Sequence, residues 1–128
     1  MCIRDSHQGH AVEQDYSKAR KWYEKAAKQG NADAQYNLGV MYYQGYGVKQ
    51  DYYKAREWWE KAAKQEDAGA QYDLGAMYKN GQGVEQSDSH AIRWFAKAAA
   101  QGDQDAQANI DAILARKRKG ASAAARGD

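Results

Sequence analysis

The chain has 128 residues, 28% of them charged, with a formal net charge of +2, no proline and one cysteine. No apolar run approaches the roughly 20 residues a membrane-spanning helix needs, and one cysteine supports neither an internal disulfide nor a thiolate metal site. Residues 7–114 hold 13 Lys/Arg and 15 Asp/Glu, a net of −2, while residues 115–128 carry a net of +4, so the bulk of the chain lacks the clustered cations of a nucleic-acid-binding face.

The first six residues, Met1-Cys2-Ile3-Arg4-Asp5-Ser6, resemble the translation of a transposon-end adapter used in preparing sequencing libraries. They are set aside from the fold, and the chain is expected to be a piece of a longer protein. From there onward a 36-residue step organises everything. Asp15-Tyr16-Ser17-Lys18-Ala19 returns as Asp51-Tyr52-Tyr53-Lys54-Ala55 and, eroded, as Ser87-Asp88-Ser89-His90-Ala91. Trp22-Tyr23 returns as Trp58-Trp59 and Trp94-Phe95, and Ala34-Gln35-Tyr36-Asn37-Leu38-Gly39 as Ala70-Gln71-Tyr72-Asp73-Leu74-Gly75. A period of this size marks an array of stacked units, each burying its apolar face against its neighbours.

Each unit reads as two helices. The first runs from about Ala32 to Gln44, with Ala34, Leu38, Met41 and Tyr42 on one face. Gly45-Tyr46-Gly47-Val48 ends it, as Gly81-Gln82-Gly83-Val84 ends its successor, because paired glycines allow the left-handed backbone that closes a helix. Asp51 and Ser87 occupy N-cap positions, and the second helix, about Tyr52 to Gln65, carries Ala55, Trp58, Trp59, Ala62 and Ala63. Gly39 and Gly75 fall inside helices, where glycine costs roughly 1 kcal/mol relative to alanine. They therefore read as hollows for the large aromatics of a neighbouring helix.

Several positions leave the pattern. Glu66 stands where Gly30 and Gly102 stand, so one turn must close without glycine. In the last helix Asp111 replaces the packing glycine, and Ile110, Ile113 and Leu114 are expected to close the apolar face while Asp111 and Arg116 stay in water. Tyr16, Ala19, Trp22 and Tyr23 lack a partner helix. Glu24 with Lys28 and Glu60 with Lys64 are four apart, the spacing of surface ion pairs.

These phrases resemble the Sel1-like repeat, a relative of the tetratricopeptide repeat. The resemblance is carried by Ala34, Leu38, Gly39, Tyr42, Gly45, Gly47, Val48, Asp51, Lys54, Ala55, Trp58, Lys61, Ala62 and Ala63. It implies an all-α protein, a right-handed α-solenoid of antiparallel helix pairs. The expected organisation is a partial unit over 7–30, units over 31–66 and 67–102, a capping helix over 103–118, and a disordered tail over 119–128. The array as a whole spans 7–114, after adapter residues 1–6. It also implies a bacterial adaptor or scaffold, in the envelope or the cytoplasm, binding another protein or peptide as a monomer.

In the related tetratricopeptide fold the first helices line a concave groove. The Leu-Gly-x-x-Tyr phrase then places Asp33, Tyr36, Val40, Tyr43 and Gln44 on that face, with Tyr72, Ala76, Lys79 and Asn80 from the next unit. Tyr36 and Tyr72 have a second reading, as packing between neighbouring first helices. The tryptophans, at helical spacing beside alanines, read as core rather than as stacking platforms. The basic run Arg116–Lys119 reads as the solvated end of a helix, and no nucleic-acid partner is expected. His7 and His10 sit near the N-terminal end, His90 stands alone at a helix start, and the sequence has no His-x-x-x-His and no nucleophile with a nearby base, so no catalytic residue, metal or cofactor is assigned. The alternatives are a β-lactam-binding or hydrolysing enzyme, an activity linked to cysteine-rich members of the family, and the targeting arm of a larger signalling protein.

Overall fold

The computed structural model describes residues 6–126, with side chains over residues 16–120. Among the described residues all regular structure is helical: α1 (Ser6–Lys28), α2 (Ala32–Gln44), α3 (Tyr52–Lys64), α4 (Ala68–Asn80), α5 (Asp88–Ala100) and α6 (Gln104–Arg126). The chain divides into two compact units, and the division falls inside α4, after Ala70. Of the six residues set aside at the N-terminus, 1–5 lie outside the described residues and Ser6 opens α1.

The loops follow from local chemistry. Gly45 closes α2 at φ 76°, its N–H donating to the Met41 carbonyl at 2.7 Å, and Gly47 follows at φ 71°. A Cβ on Gly47 would also meet the Cβ of Tyr16 at 2.7 Å, so this glycine serves both the turn and the approach of α1. The chain then returns to α2, where Asp51 N–H donates to the Tyr42 carbonyl at 2.8 Å. In α1 the corresponding phrase is Gly9-His10-Ala11-Val12. Alanine in place of the second glycine resists a positive φ, and α1 runs unbroken from Ser6 where the other units have a loop.

Asp51 and Ser87 cap as their positions foretell, accepting from Lys54 N–H at 3.1 Å and His90 N–H at 3.2 Å. A second set of caps repeats at the same step. Asn31, Asp67 and Asp103 accept from the N–H groups of Ala34, Ala70 and Ala106 at 2.9–3.0 Å. Each cap follows the residue that turns the chain in the left-handed region: Gly30, Glu66 and Gly102. Glu66, at φ 70°, is the one non-glycine residue there among those described.

In the first unit α2 packs on both α1 and α3. Ala27, Ala34 and Leu38 are buried, with Tyr23, Ala26, Tyr42 and Trp58 packed around them. In the second unit Ala91, Phe95, Ala98, Ala106, Ile110 and Ile113 form the core, covered by Tyr72, Ala76, Tyr78, Ile92 and Ala99. The glycine hollows are real in both. A Cβ on Gly39 would overlap the indole of Trp59, and one on Gly75 would meet the Phe95 ring at 2.7 Å.

Buried glutamines supply polar register marks. Gln35 Nε2 donates to the Ala27 carbonyl at 3.1 Å, and its Oε1 accepts from Gln65 Nε2 at 2.9 Å. Gln71, fully buried, accepts from Gln101 Nε2 at the same distance. A buried amide without such partners would be strongly unfavourable, so the repeated Ala-Gln-Tyr phrase is a constraint on pairing.

Four expectations are corrected. Leu114 is 40% exposed while Ile110 and Ile113 are buried, because only the two isoleucines point at Phe95 and its neighbours. Glu24 and Glu60 pair with Arg20 and Arg56 at 3.1 and 3.2 Å, not with Lys28 and Lys64; the guanidinium, four residues earlier, reaches them. Trp22, read with the other tryptophans as core, is 73% exposed where Trp59 is 3% exposed, in keeping with its lack of a partner helix. Helix α6 continues to Arg126 instead of ending at 118, through a stretch rich in alanine, the best helix former.

Two substitutions test this packing. Trp59→Ala is expected to lower stability by about 3–5 kcal/mol, and Trp22→Ala by no more than about 0.5 kcal/mol, both read from urea unfolding followed by circular dichroism. Glu66→Gly is expected to raise stability by about 0.5–1 kcal/mol, the release of left-handed strain outweighing the added freedom of the unfolded chain. A destabilised Glu66→Gly variant would show that the glutamate side chain contributes more than the turn costs.

Candidate functional site

Helix α2 places its five candidate residues along one side of the first unit. Asp33 and Gln44 are exposed, and Tyr36, Val40 and Tyr43 are half-buried. The tyrosines belong to a ring cluster. Tyr36 lies nearly parallel to Trp59 with centroids 6.2 Å apart, and its carbonyl accepts the Trp59 Nε1–H at 3.0 Å. Tyr43 sits between Tyr52, at 4.9 Å, and Trp59, at 5.4 Å. Such contacts hold the rings in place, so this face presents a rigid aromatic surface flanked by an acid and an amide.

Helix α4 offers a different face in the second unit. Tyr72 packs edge-on against Phe95 at 5.3 Å, and its hydroxyl accepts from Asn109 Nδ2 at 3.1 Å. Asn109 Oδ1 in turn accepts from Lys79 Nζ at 2.8 Å. Ala76 and Lys79 are half-buried and Asn80 is exposed. Beside them opens a cavity of about 290 Å³, lined by Lys79, Asn80, Ala112, Ile113 and Arg116. Arg116 is itself positioned: its Nη2 donates to both carboxylate oxygens of Asp88, at 2.8 and 2.9 Å.

The structure thus brings Tyr72, Lys79 and Asn80 together with Asn109, Ala112, Ile113 and Arg116 of α6; the sequence reads Ile113 and Arg116 only as parts of a capping helix and does not mark Asn109 or Ala112. One signal pointed there. At the 36-residue step Tyr43 becomes Lys79 and Tyr52 becomes Asp88. The two positions that touch as rings in the first unit are both charged in the second, and the repeat departs from itself where the cavity lies.

Nothing among the described residues gathers three or more His, Cys, Asp or Glu side chains in the manner of a metal site. No helix among them is long and apolar enough to cross a membrane. His90 stacks on Tyr78 with centroids 4.9 Å apart and shares a 2.9 Å hydrogen bond with Ser87 Oγ, a capping arrangement.

The Sel1 repeat model matches residues 6–31, 32–67 and 68–103. Among solved structures, a Sel1 repeat protein from Oxalobacter formigenes is 39% identical with a TM-score of 0.71, over 73% of this chain and 39% of its own. A protective antigen of uropathogenic Escherichia coli with an SLR fold, c5321, is 39% identical with a TM-score of 0.73, over 74% of this chain and 20% of its own. Cysteine-rich protein B of Helicobacter pylori is 29% identical with a TM-score of 0.66, over 70% of this chain and 67% of its own. This chain therefore spans well under half the length of the first two. No curated protein matches it. The fold class is the all-α repeat solenoid of these structures, and Sel1 repeat proteins in general are protein-interaction scaffolds and not enzymes. With three successive units matched and helices in register with them, the chain belongs to the Sel1 repeat family.

Proposed function

We propose that this chain is an interaction scaffold that holds a peptide or a helix of another protein against the first helices of its repeats, and that it carries out no chemistry of its own. The observation behind this reading is the division of labour within α2 and α4. Ala34, Gln35, Leu38, Gly39 and Met41 of α2 are buried for packing, while Asp33, Val40 and Gln44 remain accessible beside ordered tyrosine rings. Lys79 and Asn80 do the same at the end of α4. Accessible polar groups around rigid aromatics suit protein recognition, since tyrosine supplies contact area at low entropic cost.

Peptides selected by display against the immobilised chain, followed by backbone-amide chemical-shift mapping, test the proposal. Shifts are expected to concentrate on Asp33, Tyr36, Val40, Tyr43 and Gln44 and on Tyr72, Ala76, Lys79 and Asn80. Perturbations confined to the outer faces of α3 and α5 would contradict the proposed surface. Saturable nitrocefin hydrolysis above background would contradict the purely binding role.

A further inference from the structure

We propose that the cavity beside α4 and α6 is a carboxylate-recognition site, which selects partner segments rich in Asp and Glu with interspersed short aliphatic residues. The assignment rests on the scaffold reading above and names the chemistry of the partner at one place.

The cavity lies where the second unit carries different side chains from the first. Tyr43 and Tyr52 fill each other's flank in the first unit. Their counterparts Lys79 and Asp88 cannot stack, and Asp88 turns instead to Arg116 on α6. Lys79 and Arg116 place two cations in the wall of the hollow.

Both cations are positioned before any ligand arrives. Lys79 Nζ is held by Asn109, which is fixed in turn by the Tyr72 hydroxyl at 3.1 Å and the Asp105 carbonyl at 2.9 Å. An ammonium has three N–H donors, and this contact uses one. Arg116 gives only its Nη2 to Asp88, which leaves its Nε–H and Nη1–H as single donors for a second acceptor. The exposures of the pair point the same way. The Asp88 side chain is 19% exposed and that of Arg116 60%, so the ion pair presents its cation to solvent and shields its anion.

The remaining wall sets the rest of the specificity. Ile113, 2% exposed, and Ala112 form an apolar side that accepts a short aliphatic group, and Asn80 adds an amide at the rim. At about 290 Å³ the space suits one or two side chains and not a large cofactor. Fixed donors around an apolar floor are worth more to a carboxylate than mobile surface lysines, because the ordering cost has already been met within the fold. A nucleic-acid strand would need a continuous basic track to displace counterions, whereas the cavity wall itself supplies two cations, Lys79 and Arg116, beside an apolar side.

Fluorescence anisotropy of the full chain with a labelled peptide alternating Asp or Glu with Leu tests the site, with its Asn/Gln counterpart as control. The acidic peptide is expected to bind, to weaken as salt rises, and to lose about tenfold in affinity with Lys79→Gln or Arg116→Gln. Both variants should keep the wild-type circular dichroism, because neither side chain is in the apolar core. Equal binding of the amide peptide, an unchanged affinity in the Lys79→Gln/Arg116→Gln double variant, or tighter binding of a single-stranded oligonucleotide would each overturn the site. Failure of the acidic peptide while display-selected peptides still bind would overturn it and leave the scaffold reading standing. If the selected peptides also fail, both fall.

Discussion

The structure depends on two missing methyl groups. At Gly39 and Gly75 a helix presents bare backbone to the aromatic ring of its partner, Trp59 in one case and Phe95 in the other. Any side chain there would hold the helices apart. Both rings are almost fully buried, and Trp59 uses the closeness to donate its indole N–H to the Tyr36 carbonyl. The helix loses propensity at each glycine, about 1 kcal/mol, and gains a ring burial worth several times that. With the ring seated, the buried glutamine contacts and the two sets of caps fall at matching places in each unit. The shared positions are thereby committed to packing, and variation is left to the accessible side of α2 and α4.

That variation is where the proposed function enters. Equivalent positions make a tyrosine–tyrosine contact in one unit and a lysine beside an Asp–Arg ion pair in the other. Nothing in the backbone changes: both first helices are 13 residues long and both loops turn through two left-handed glycines. A repeat whose framework is held by glycine, alanine and a few buried rings can exchange an aromatic surface for a cationic hollow without redesign.

Much of this was legible in the residues. The 36-residue step, the two-helix unit, the caps Asp51 and Ser87, the strained turn at Glu66 and the purpose of Gly39 and Gly75 all rest on local chemistry, which a single sequence displays. Other features depend on partners far along the chain. The role of Gln35 required knowing that Gln65 comes to it across 30 residues. The cavity required α6, whose Asn109 and Arg116 meet Lys79 and Asp88 only after folding. The capping trio Asn31, Asp67 and Asp103 recurs at the same step, directly after the residues that turn the chain, so one short phrase both ends a helix and starts the next. Tyr43, placed on the groove face by the Leu-Gly-x-x-Tyr phrase, is held between two rings that only the fold brings to it.

The central claim, that a glycine hollow seats the neighbouring ring, is tested most directly by a double-mutant cycle between Gly39→Ala and Trp59→Leu. Against the native indole, Gly39→Ala should cost about 1–3 kcal/mol despite alanine's better helix propensity. In the Trp59→Leu background the same change should become neutral or mildly stabilising, giving a coupling of the same size. An equal cost in both backgrounds would contradict the account, since the glycine would then be required by something other than the ring above it.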